Sequence, residues 1–157
     1  MIESSGTWLK AALEVARKFG AVRMTTLPFR PEQLYRGSEQ AFSTLAAQFK
    51  ILSYFNLSPA AGQDPFNTWR NWLANHGPIM VRLDVDATWD HVTSAGNLDV
   101  YQPTTTRGGH AVALVGYTQS RFIVRNSWGT TWGDKGYAYA SLAYAKAAFT
   151  EGYGVSI

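Results

Sequence analysis

Gly108-Gly109-His110-Ala111-Val112-Ala113-Leu114-Val115-Gly116-Tyr117, followed sixteen positions after the histidine by Asn126-Ser127-Trp128-Gly129-Thr130-Thr131-Trp132-Gly133-Asp134-Lys135-Gly136-Tyr137, decides the reading of this chain. Ala111 to Tyr117 and Phe122 to Arg125 are apolar runs joined by Thr118-Gln119-Ser120-Arg121, a length that fits a hairpin. His110 heads the first strand after two glycines, and Asn126 ends the second. Cross-strand pairing then carries the Asn126 amide oxygen towards His110 Nδ1–H, with Trp128 covering the bond, where a lower dielectric strengthens it. Taken singly, a histidine before a strand is an ordinary residue and Asn-Ser-Trp-Gly an ordinary turn. Their pairing at this interval gives both a chemical meaning.

Outward from the hairpin, the pattern changes character along the chain. Val81, Leu83 and Val85 alternate with Arg82, Asp84 and Asp86, the period of a half-buried strand, which places Asp84 and Asp86 on one solvated face. Gly136 to Ala140 reads as another strand, and Gly152 to Ile157 closes the sheet. Before residue 78 the period is helical instead. Trp8, Leu9, Ala12, Leu13, Val15, Ala16 and Phe19 recur along Thr7 to Gly20, Glu39 to Tyr54 reads as a helix giving way to a strand near Ile51, and Asp64 to Asn75 turns Phe66, Trp69, Trp72 and Leu73 inward. Helices first and antiparallel strands after them is the segregated order of an α+β domain.

The 157 residues suit one domain, residues 1–157, and a body of this size buries about 70% of its unfolded surface, enough for a core without disulfides. None is possible, since the chain has no cysteine. A net charge of +3, spread without any run of like charges, argues against a nucleic-acid partner. No apolar stretch approaches a membrane span, so no membrane partner is expected. Asp84, Asp86 and Asp90 invite a metal reading, which the solvated strand face outweighs; no metal and no other cofactor is expected. Localisation is unknown from the sequence.

The two quoted motifs together resemble the active-site half of a papain-like (C1 family) cysteine peptidase. Thiol-peptidase chemistry needs a thiolate, a histidine paired with it and a third group that fixes the histidine's tautomer. The resemblance makes His110 and Asn126 the last two, with Trp128 in support. An amide suits the third role because it orients the imidazole without adding a negative charge beside a thiolate–imidazolium pair. Ser4-Ser5-Gly6-Thr7-Trp8 resembles the family's segment bordering the substrate cleft, and Asn75-His76-Gly77-Pro78-Ile79 resembles its approach to the first sheet strand. Ser5, Gly6, Arg82 and Gly109 follow as substrate-binding candidates. The family usually has a small residue where Arg82 stands; the arginine either fills a specificity pocket or invites an acidic side chain, or it lies on the outer strand face held by Asp84.

The resemblance therefore implies a papain-like α+β fold, the antiparallel sheet subdomain plus part of the helical one. It leaves the nucleophile missing. Roughly 130–150 residues separate the family's cysteine from its histidine, and 109 precede His110 here. The expectation is a peptidase domain whose cysteine-bearing segment lies outside this chain, inactive alone, acting on peptide or protein substrates once that segment is supplied by a separate cysteine-bearing chain, a processed fragment or a longer gene product. The alternative is a pseudopeptidase, a peptide- or protein-binding module; a weaker one is an assembly subunit. An apolar face left bare by the absent helix, with Trp8, Leu13 and Val112 as members, implies such a partner or self-association.

Overall fold

The computed structural model describes residues 6–28, 34–58 and 65–157. Ser4, Ser5 and Asp64 lie outside the described residues. The chain divides into two compact units, Met1–Tyr54 with Ser156–Ile157, and Phe55–Val155.

In the first unit, α1 (Leu9–Lys18) buries Leu9 and Leu13, one helical turn apart on the same face. Arg17 and Lys18 occupy its last turn, where they complement the helix dipole. α2 (Glu39–Ala47) starts on Ser38, whose hydroxyl oxygen accepts from Ala41 N–H at 3.1 Å and so satisfies one of the free donors of the first turn. Glu14 of α1 pairs with Arg17 at 2.8 Å and accepts from Tyr54 O–H at 2.5 Å. Both donors hold the Glu14 carboxyl below its ordinary range, Arg17 more strongly than Tyr54.

The chain passes through β1 (Ser53–Asn56), which straddles the boundary, into the second unit, where α3 (Phe66–Asn75), β2 (Ile79–Val85), β3 (Asn97–Leu98), β4 (Gly108–Tyr117), β5 (Arg121–Arg125), β6 (Tyr137–Ser141), α4 (Leu142–Ala148) and β7 (Phe149–Ser156, its last residue in the first unit) follow. The strands form one sheet in the order β1-β7-β2-β4-β5-β6-β3. β2, β4, β5 and β6 pair antiparallel in succession, whereas β3 joins β6 in parallel. β2 buries Ile79, Val81, Leu83 and Val85 and turns Met80, Arg82 and Asp84 to the other face, so its period-2 pattern is realised residue by residue.

Trp69 anchors α3 on this sheet. It is 1% exposed, its Nε1–H donates to Leu57 O at 2.9 Å, and its ring meets Phe66, Phe122 and Phe149. β7 makes room for the two tryptophans of the helix with Gly152 and Gly154. A Cβ at Gly154 would fall 2.1 Å from the Trp72 ring, a distance no packed atom tolerates.

Two elements depart from the expected order. α4 fills the stretch left unassigned between the strands expected at Gly136 to Ala140 and Gly152 to Ile157, and β7 begins at Phe149 rather than Gly152. Ser141 caps α4 by accepting from Tyr144 N–H at 3.0 Å, and Tyr144, Ala145 and Ala148 are buried. Asp86 is the second departure. The strand ends at Val85, so alternation no longer governs the next residue, and Asp86 is fully buried at the start of a 3-10 turn instead of sharing a solvated face with Asp84.

Candidate active site

β4 and β5 build the hairpin that brings His110 to Asn126. Ala113 pairs with Arg125; continuing that ladder by one residue sets Asn126 opposite Val112, with His110 two positions further along β4. Residues related this way share a face but stand diagonally, some 7–8 Å apart at the backbone. A side chain must reach to close that gap. Nε2, the far nitrogen of the His110 ring, lies 2.9 Å from Asn126 Oδ1. This corrects the expectation that Nδ1 faces the asparagine: the near nitrogen is too short for the diagonal.

The tautomer follows from a second contact. Asn126 Oδ1 also accepts from Ser127 N–H at 2.8 Å, which identifies that atom as the amide oxygen. An oxygen only accepts, so His110 Nε2 carries the hydrogen and Nδ1 keeps its lone pair in the neutral ring. Nδ1 makes no hydrogen bond among the described residues. Asn126 is 9% exposed and its own N–H donates to Gly136 O at 2.9 Å, which closes the loop from Asn126 to Gly136 on itself. The asparagine is thereby fixed at both ends, and the histidine is oriented by it.

Aromatic rings frame the pair. Trp128 lies 5.0 Å from the His110 ring and keeps 45% of its surface exposed. Trp89, 0% exposed, meets the His110 ring edge to face at 5.7 Å and 85°. Trp132 stacks on Trp89 at 5.0 Å and donates its Nε1–H to Trp89 O at 2.9 Å. Trp89 carries no signal in the sequence that marks it as a site residue. It lies in a Thr-Trp-Asp stretch with no motif of its own, and only the fold brings it to His110.

The other candidates fall elsewhere. Arg82 and Gly109 are together on the face of β2 and β4 opposite Leu83 and Val81. Arg82 pairs with Asp84 at 2.9 Å and donates to Thr150 Oγ1 at 2.7 Å. A Cβ on Gly109 would stand 2.7 Å from the Arg82 guanidinium, so the glycine is what lets the arginine lie across β4. Gly6, in the first unit, is exposed with φ +76. Ser5 lies outside the described residues. Among the described residues no group of three or more histidine, aspartate or glutamate side chains is placed to hold a metal ion, and no helix is long and apolar enough to cross a membrane.

The fold is that of the papain class. The crystal structure of Xylellain, a cysteine protease from Xylella fastidiosa, superposes with a TM-score of 0.72 at 24% identity, covering 97% of this chain and 62% of that one. Residues 3–151 match the profile described as papain family cysteine protease, and the chain belongs to that family. It is 38% identical over 104 residues to Peptidase 1 of Dermatophagoides pteronyssinus, 60% of this chain and 30% of that protein. A cathepsin L-like proteinase of Fasciola hepatica is 25% identical over 153 residues, 87% of this chain and 43% of that one. The chain thus spans less than half the length of these curated relatives.

Proposed function

We propose that this chain supplies the histidine–asparagine half of a thiol-peptidase site, that the nucleophile comes from a cysteine-bearing segment outside the 157 residues, and that the substrate is a peptide or protein. The observation that carries this reading is the Nε2–H bond to Asn126, which leaves Nδ1 without a hydrogen-bond partner among the described residues in a chain with no cysteine.

The chemistry follows from that tautomer. Nδ1 takes the proton of an incoming thiol, and the thiolate attacks the peptide carbonyl carbon. The imidazolium is stabilised by the Asn126 oxygen while it exists, then gives its proton to the departing amine. Water releases the acyl group from sulfur with the same ring as base. Ser5, Gly6, Arg82 and Gly109 are the proposed substrate-contacting residues. Arg82 is already engaged by Asp84 and Thr150, so an acidic substrate group has to share or displace those partners.

The surface of α1 supports a partner. Trp8, Val15 and Phe19 recur at i, i+7 and i+11 and are 77%, 54% and 56% exposed, an apolar stripe beside the buried Leu9 and Leu13. Of the three side chains expected on a bare face, Leu13 (2% exposed) and Val112 (6%) are buried, and Trp8 remains.

The test is covalent labelling with an epoxide or vinyl-sulfone peptide inhibitor. The chain alone gives no adduct, because it has no cysteine thiol to open the epoxide or add to the vinyl sulfone. Joined to a cysteine-bearing N-terminal segment from a full-length family member, it gives one adduct, on the added cysteine. An adduct on any of the 157 residues contradicts the reading. Inhibitor-like peptides that bind the joined protein without ever labelling it favour the pseudopeptidase instead.

A further inference from the structure

The mechanism above makes no use of the most deeply buried charged side chain of the second unit. Asp86 is 0% exposed, and burying an acidic group is costly unless every oxygen finds a donor. Here they do. Oδ1 accepts from Thr88 Oγ1–H at 2.6 Å and from Tyr144 O–H at 2.7 Å, and Oδ2 accepts from Gln102 N–H at 2.6 Å. Thr88 and Gln102 alone would account for a residue that merely pins a turn. Tyr144 extends the network.

The Tyr144 hydroxyl, 0% exposed as a residue, accepts from Trp89 Nε1–H at 2.8 Å while donating to Asp86. Burial pushes this phenol well above its ordinary range, with the Asp86 contact adding to the shift, so the hydroxyl stays a donor wherever the protein is folded. The Trp89 ring is therefore held by Tyr144 at its indole nitrogen and by the Trp132 ring stacked on it at 5.0 Å. A ring held this way cannot swing about its side-chain torsions. Its edge-to-face contact with His110, and a second one with Trp128 at 5.6 Å and 72°, fix the plane in which the imidazole lies.

We infer that Asp86, Tyr144 and Trp89 form a positioning relay that holds the His110 ring in the orientation that keeps Nε2–H on Asn126. The three are positioning residues, since none of them touches the reacting atoms. α4 takes part in the relay through Tyr144. The inference builds on the reading of His110 as the base, but its readout is the ring itself. If the joined protein failed to support thiol chemistry, that reading would fall and the orientation of His110 would remain measurable.

The experiment is nitrogen-15 NMR of the imidazole in the whole chain. In the unchanged protein His110 shows the Nε2–H tautomer, with a protected ring proton. Tyr144→Phe keeps the aromatic ring and removes the relay atom; it lowers the Nε2–H population and speeds exchange of that proton by about tenfold, as expected for local opening. Asp86→Leu, which removes the acceptor of the Tyr144 O–H, does the same. Thr88→Val, which removes a donor to Asp86 and a long 3.5 Å contact to the Tyr144 hydroxyl but leaves the Asp86–Tyr144–Trp89 path intact, leaves the His110 signals as they were. If Tyr144→Phe does not fold, Trp89→Phe decides, since it cuts the same path while keeping the Tyr144–Asp86 bond. Folded variants that break the path and keep the native tautomer and protection overturn the inference, as does a Thr88→Val change as large as that of Tyr144→Phe.

Discussion

Once the chain is joined to a cysteine-bearing segment, His110→Ala lowers peptide hydrolysis by about 10²- to 10⁴-fold, the range spanned by a positioned general acid–base group. The loss falls on kcat more than on KM, because Nδ1 acts on the proton in flight and not on the bound peptide. Asn126→Ala costs less, since it leaves the base in place and removes only the acceptor that sets its tautomer, 2.9 Å away. A smaller loss for His110→Ala than for Asn126→Ala, measured by steady-state kinetics on one peptide substrate, contradicts the roles assigned to the pair.

The largest loss of stability is expected at Trp69. This side chain is 1% exposed, meets three aromatic rings and carries a hydrogen bond to Leu57 O. Trp69→Ala removes the bulk over Gly152 and leaves a cavity that α3 and the sheet cannot close without moving. The cost is about 3–5 kcal/mol, against a total stability of about 5–15 kcal/mol for a domain. Denaturant unfolding followed by circular dichroism checks this; a change under about 1 kcal/mol means that the helix repacks freely on the sheet.

The sheet was legible because its strands have one wet and one dry face. β2 alternates without exception from Ile79 to Val85, and the hairpin of β4 and β5 is marked by two apolar runs and a short polar connection. α1 was legible for the matching reason at period 3.6. The elements that escaped are short or owe their existence to tertiary contacts. α4 has seven residues, too few for a period to emerge, although Ser141 ahead of Leu-Ala-Tyr-Ala-Lys-Ala-Ala is a capping signal that precedes good helix formers. β3 has two residues and is defined only by its pairing with β6.

At the site, residue types in a pattern indicated the partners but not the atoms. The interval from His110 to Asn126 points to a hairpin, while the choice of Nε2 over Nδ1 depends on a diagonal that no spacing reveals. Asp86 escaped for a related reason. Alternation ends with β2 at Val85, one residue short of Asp86, and the buried partners of that carboxyl come from Gln102 and Tyr144, 16 and 58 positions away. Trp89 likewise becomes part of the site only through three-dimensional proximity to His110.

The measurement that bears most directly on the account is the titration of the supplied thiol in the joined protein, followed by its rate of alkylation against pH. With His110 intact the thiol titrates well below the roughly 8.5 of a free cysteine, within the range of about 3.5–7.5 seen for thiols held beside a positive group. His110→Ala returns it towards the free value, and Asn126→Ala moves it part of the way. A folded joined protein, melting in one cooperative transition, whose thiol titrates near 8.5 with and without His110 would contradict the claim that this chain carries the base of a thiol-peptidase site.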